Sequence, residues 1–192
     1  MNKWKVAFFT LLALIVVSFG SLYVKATAPT NVSTELKAPT TKAPTLDVTM
    51  NRAQVNALSA NYLNRFLKNS RIKYRFVVGA KYATVIGTTK VLGAKVQFAM
   101  NFVPEKTDAG NILLRAKGLS VGRLNLPLKF VLAYVKKNYD LPKWVSINQK
   151  KQTILLDLNR YSQHQSVRYT AQKLNMQAGK FVFRITIPKG DK

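Results

Sequence analysis

The chain has 192 residues, a length that suits one domain with accessory segments. It carries 31 Lys and Arg against 7 Asp and Glu, a formal net charge of +24, so anionic partners are expected and cationic ones disfavoured. With no cysteine there can be no disulfide, thiolate nucleophile or Cys-ligated metal, and one histidine excludes two-His metal motifs.

Residues Val6–Val24, VAFFTLLALIVVSFGSLYV, form a run of 19 without a charge. At about 1.5 Å per residue such a helix nearly matches a hydrocarbon core of about 30 Å. Lys3 and Lys5 precede it, Lys25 closes it, and Trp4 and Tyr23 stand where interfacial aromatics prefer to lie. Residues 1–25 therefore read as a transmembrane anchor. The alternative is a signal peptide cleaved after Ala28, in Ala26-Thr27-Ala28; the length of the apolar run and the position of Lys25 disfavour it. Either reading places the remainder outside the cytoplasm.

Residues 26–46 repeat Lys-Ala-Pro-Thr at 37–40 and 42–45. Pro29, Pro39 and Pro44 favour extended backbone, so the segment reads as a semi-extended tether. Five cations and one acid, Glu35, precede residue 46. Residues 47–192 therefore hold 26 basic and six acidic side chains, a net of +20.

The domain opens with a predicted helix over Asn51–Asn69. Asn51 caps it with Gln54 as box partner, and Val55, Leu58, Tyr62, Leu63, Phe66 and Leu67 form one apolar face. The period then changes to two. Runs around Ile72–Val78, Tyr82–Leu92, Val96–Phe102 and Ile112–Lys117 predict an antiparallel meander, with turns at Gly93 and over Pro104–Gly110. Pro127 opens a second helix with the stripe Leu128, Val131, Leu132, Val135 and Tyr139, ended by Asp140-Leu141-Pro142. Three further strands are expected. The first lies near Val145–Leu158, bent or split at Asn148–Lys151; the second carries Val167, Tyr169 and Ala171; the third carries Phe181–Ile187, after a turn near Gln177–Gly179. The predicted class is α+β: a mostly antiparallel, curved sheet with two helices, preceded by one transmembrane helix.

Chemistry is sparse. His164 lies in the polar stretch Ser162–Ser166, and a Ser162–His164–Asp157 set has no nucleophile elbow around it. Asp157, in the apolar run Ile154–Leu158, is expected to pair with an arginine at the sheet surface. No phosphate-cradling glycine loop, metal site or cofactor site is expected, and the chain is not read as an enzyme. The residues that point to binding are Arg123 before the second helix, Lys136 and Lys137 at its end, and Lys143-Trp144 after Pro142. Cations beside an indole suit an anionic headgroup at an apolar boundary. The bland alternative is a core tryptophan with solvated lysines.

At Leu124–Leu158, LNLPLKFVLAYVKKNYDLPKWVSINQKKQTILLDL, the sequence resembles the YpmS-like family of Gram-positive bacteria. The likeness extends to the MNKWK lead, the apolar run, Asn61-Tyr62-Leu63, and Lys90-Val91-Leu92-Gly93 before a Phe-rich strand. It implies an N-terminally anchored extracytoplasmic protein with no assigned reaction and no catalytic motif. The layout also looks like lipid-binding folds in which a curved sheet wraps a helix. The expected function is an extracytoplasmic binding module for an anionic lipid, a lipoteichoic-acid-like amphiphile or another cell-wall polymer. The alternative is a scaffold with a protein partner in the cell envelope. Nucleic acid is the least favoured partner, because no basic face with interleaved aromatics stands out.

Overall fold

A computed structural model describes Glu35 and residues 43–66, 74–91, 94–121, 127–138 and 140–188. Among these residues two antiparallel sheets and three helices make an α+β fold. We label the strands β1 (Thr45–Asn51), β2 (Tyr74–Val78), β3 (Ala83–Val91), β4 (Ala94–Lys106), β5 (Ile112–Val121), β6 (Val145–Asn148), β7 (Thr153–Leu156), β8 (Arg168–Asn175) and β9 (Lys180–Thr186). The helices are α1 (Arg52–Phe66), α2 (Leu128–Asn138) and α3 (Leu158–Tyr161). No helix of the described residues is long and apolar enough to cross a membrane; the run Val6–Val24 and the expected site residue Arg123 lie outside them.

The larger sheet has the order β2-β3-β4-β5-β7-β6. Its first four strands are the expected meander. β4 is longer than its predicted run: it continues through Pro104 to Lys106, with Pro104 opposite Leu114. A proline is tolerated there because β3 begins at Ala83, opposite Phe102, leaving β4 a single paired neighbour beyond that point. The turn itself is Thr107–Gly110, with Thr107 N–H donating to Asn111 O at 3.0 Å and Gly110 N–H to Thr107 O at 3.0 Å.

A bulge between Asn101 and Phe102 lets β5 change its inward parity. Ala116 faces Phe102, Gly118 faces Asn101, and Leu119 faces Met100. Ile112, Leu114 and Ala116 thus share the core face with Leu119, which simple alternation would turn outward. Met100, Phe102, Leu114, Ala116 and Ile147 form the buried centre of that face, and Leu132 of α2 drops onto it. Leu128, Val131 and Val135 pack around Leu132, as the predicted stripe requires. Each such side chain withdrawn from water contributes about 1.5–3 kcal/mol.

The expected bent strand at 145–158 is a hairpin. Val145 pairs with Leu156 and Asn148 with Thr153, across a turn where Gln152 takes φ 53°. The chain then leaves the sheet at Asp157 instead of continuing to Leu158. Asp157 is buried, and its carboxylate accepts the backbone N–H of Arg160 at 2.9 Å, so it caps α3. Its arginine partner is Arg160, at 3.6 Å.

The smaller sheet has the order β1-β9-β8. β1 begins at Thr45, inside the stretch read as tether, and pairs with β9 from Thr45↔Thr186 to Asn51↔Lys180. Asn51 and Gln54 then form the predicted reciprocal box, at 2.8 and 2.9 Å. The buried stripe of α1 differs from the expected one. Arg52, Val55, Asn56, Ser59 and Tyr62 turn inward, while Leu58 is 60% exposed. Two polar anchors set this rotation. Arg52 Nη2 donates to Met176 O at 2.8 Å, and the Asn56 amide brackets Val78, accepting its N–H at 2.6 Å and donating to its C=O at 3.3 Å.

Candidate functional site

Trp144 stands immediately before β6, and its carbonyl accepts the backbone N–H of Asp157 at 2.8 Å. This pins the indole at one end of the larger sheet, beside α3. Two tyrosines from other elements meet it, and a third joins through one of them. Tyr62 of α1 meets Trp144 edge to face with ring centroids 5.6 Å apart, and Tyr161 of α3 meets it at 5.2 Å. Tyr62 and Tyr161 are 6.3 Å apart, and Tyr161 is 6.2 Å from Tyr169 of β8. Edge-to-face pairs of this kind are worth about 0.5–1.5 kcal/mol beyond their buried area.

The cluster is neither core nor free surface. Trp144, Tyr62 and Tyr169 are half-buried and Tyr161 is exposed. Burial pushes the Tyr62 phenol above its ordinary value of 10.0, and a hydrogen bond with Trp144 opposes this in part. The rings therefore present apolar bodies with polar tips, the form that suits a wet–apolar boundary. Lys143 is exposed next to Trp144; Arg160 and Arg168 are half-buried. Arg168 donates to the carbonyl of Ser162.

Of the expected site residues, Trp144 falls in this cluster, and Lys143 is its exposed neighbour in the chain. Lys136 is half-buried and Lys137 exposed in the last turn of α2, six or more residues earlier in the chain. Tyr62, Tyr161 and Tyr169 are members that the sequence did not mark as site residues. Tyr62 was assigned to a helix face, Tyr169 to a strand, and Tyr161 sits in a helix of four residues, too short to show a period.

A polar knot abuts the cluster. Asn111, fully buried, accepts through Oδ1 both the backbone and the side-chain N–H of Asn159, at 3.1 and 3.0 Å. Asn159 Nδ2 also reaches Ala109 O at 2.8 Å. From the other side Asn111 Nδ2 donates to Glu35 Oε1 at 2.7 Å, and the Thr107 hydroxyl donates to the same oxygen. The stretch read as tether thus touches the domain at Glu35, close to α3.

Ser162 and His164 stand in different surroundings. Ser162 is buried, with Oγ donating to Leu158 O at 2.7 Å and accepting Tyr169 N–H at 3.1 Å, while His164 is exposed. The hydroxyl is therefore a structural bracket between α3 and β8. Among the described residues no group of three or more metal-ligating side chains comes together.

The described residues form an α+β domain with an aromatic cluster at one end of the larger sheet. Over residues 2–187 the chain matches the family described as "Uncharacterized protein conserved in bacteria (DUF2140)", and it belongs to that family. It is similar to the Bacillus subtilis (strain 168) protein described as "Uncharacterized protein YpmS", with 25% identity over 189 residues, covering 98% of this chain and 100% of that one. No solved structure matches the chain.

Proposed function

We propose that this protein is a membrane-anchored extracytoplasmic module that binds an anionic amphiphile, either a lipid or a lipoteichoic-acid-like polymer, without chemical turnover. The observation that carries the reading is the cluster of Trp144, Tyr62, Tyr161 and Tyr169, half open to solvent, with Lys143 at its rim. The rings supply an amphipathic platform, Lys143 supplies the headgroup charge, and the +20 field of residues 47–192 draws anions toward it. Val6–Val24 would hold the domain at the bilayer that contains such ligands.

The test is native mass spectrometry of the full chain, extracted in mild detergent and washed at high salt. A retained mass of lipid size, lost in Trp144→Ala with Lys143→Gln, supports the reading. A clean apo mass sinks it. The second reading, a scaffold for an envelope complex, draws on the exposure of Leu58 on α1 and Tyr134 on α2. It gains if the apo mass is accompanied by capture of a defined protein that Leu58→Ser or Tyr134→Ser abolishes.

A further inference from the structure

We infer that one edge of the smaller sheet, continued by the aromatic cluster, is the surface on which the domain sits against an anionic bilayer, and that Glu35 fixes this orientation. The inference rests on reading Val6–Val24 as an anchor and the Lys143–Trp144 cluster as an amphiphile site, and it adds the geometry of the encounter.

The surface is continuous in register. Leu46 of β1 lies opposite Ile185 of β9, which lies opposite Tyr169 of β8, so the three side chains share one face. From Tyr169 the row passes to Tyr161 and then to Trp144 through ring contacts of 6.2 and 5.2 Å. Deeper along the same face Ala171 and Phe181 are buried. At the outer edge the face opens: Leu46 is 59% exposed, and Ile187, whose N–H donates to Pro44 O at 2.9 Å, is 51% exposed. Single exposed apolar residues are ordinary on any protein. Here they form a strip, lie beside the point where the tether joins the domain, and lead to a cluster rimmed by Lys143. Apolar bodies at the centre with cations at the margin are what an anionic interface binds.

Glu35 determines which way this strip faces. Between Val24 and Thr45 a fully extended chain would reach about 65 Å, leaving the domain free to turn. The bond of Asn111 Nδ2 to Glu35 at 2.7 Å shortens the span from Val24 to Glu35 to about 34 Å at most. It also holds the chain at both ends of the strip. Thr45 joins beside Leu46, and Glu35 sits on Asn111, which is bonded to Asn159, two residues before Tyr161. A domain held at two points along one edge presents that edge to whatever anchors the chain.

The test uses the full chain with Trp4→Phe, which leaves Trp144 as the single indole, since the sequence has two tryptophans. It is reconstituted in vesicles of phosphatidylglycerol and phosphatidylcholine, with bromine on the phosphatidylcholine chains alone, so that quenching reports the bilayer and not a bound anionic lipid. Trp144 fluorescence is expected to be quenched. Most of the quenching is expected to disappear in the Leu46→Lys, Ile187→Lys double variant and in Glu35→Ala. It is expected to persist in Glu35→Gln, whose amide oxygen accepts the same two bonds. An unquenched Trp144, or quenching indifferent to Glu35→Ala, overturns the inference. Native mass spectra of the same samples separate the two levels. Retained lipid with an unquenched indole rejects bilayer seating and leaves the binding site standing; no lipid and no quenching reject both.

Discussion

Asn111 and Asn159 clasp each other twice, with one buried carbonyl oxygen receiving both a backbone and a side-chain N–H, at 3.1 and 3.0 Å. This joins the β4–β5 turn to α3 and so sets where Tyr161 can stand. Replacing Asn111 by Ala removes the side-chain oxygen that accepts the Asn159 backbone N–H, and one of the two acceptors of its side-chain amide. The expected cost is about 1–3 kcal/mol, read as a lower urea midpoint at an unchanged slope. Trp144 emission is expected to shift as well, because α3 carries one of its ring partners.

Gly110 and Gly179 both take positive φ, at 75° and 62°, yet alanine should harm them unequally. A Cβ on Gly110 would lie 2.9 Å from the Cβ of Thr170, whose own backbone is fixed in β8. On Gly179 it would meet the Arg52 guanidinium at 3.2 Å, the end of a flexible side chain. Left-handed backbone costs a non-glycine residue about 1–3 kcal/mol at either position. Gly110→Ala adds a clash and is expected to destabilise clearly more than Gly179→Ala in thermal unfolding.

The ion pairs Asp47–Arg184, at 2.7 Å, and Glu105–Arg115, at 2.9 Å, join neighbouring strands at the surface. In each the arginine's hydrogen bonds hold the carboxyl below its usual value. A carboxylate with a depressed folded pKa stabilises above its unfolded value, and that stability is lost as pH falls through the folded one. Asp47→Asn and Glu105→Gln should therefore lower the melting temperature slightly at neutral pH. The difference from the parent should vanish toward strong acid, and in 1 M salt, where exposed pairs are screened.

Tyr62 behaves in the opposite sense. Its raised phenol pKa means the folded state favours the neutral ring, so its contribution is complete below the unfolded value of 10.0 and fades as pH rises through the folded one. Alkaline unfolding followed by circular dichroism should begin later in Tyr62→Phe than its neutral-pH stability alone would give.

Lys143→Gln tests the rim of the site without touching its packing, because the side chain is exposed. One cation near an anionic surface is worth about 1 kcal/mol, so affinity for phosphatidylglycerol vesicles at low salt should fall about five-fold. Thermal stability should be unchanged.

Local signals predicted the local structure well. The Asn51/Gln54 box, the Leu128–Val135 stripe and the alternation of the meander each depend on residues a few positions apart, and each has its expected place. Long-range determinants were hidden. β1 begins on the last threonine of a proline-rich repeat, and the strand that pairs with it lies far along the chain. The parity change at Leu119 needs a bulge that only the pairing of β4 with β5 reveals. The site was half legible: Lys143-Trp144 is a sequence neighbour pair, while Tyr62, Tyr161 and Tyr169 join it only because three separate elements end at the same place. Glu35 could not have been singled out, since its acceptors' partners belong to a turn and a buried asparagine 72 and 76 residues away.

The pairing of β1 with β9 also imposes an order of events on folding. Asp47 and Arg184 stand 137 residues apart in sequence, so the first strand of the domain has no partner until almost the whole chain exists. At synthesis rates of about 5–20 residues per second that wait is on the order of ten seconds. Throughout it Leu46, Val48 and Met50 alternate along an unpaired strand, a template for mispairing with another copy. Truncation before β9 would leave β1 permanently in that condition, so the C-terminal strand guards the N-terminal one against aggregation.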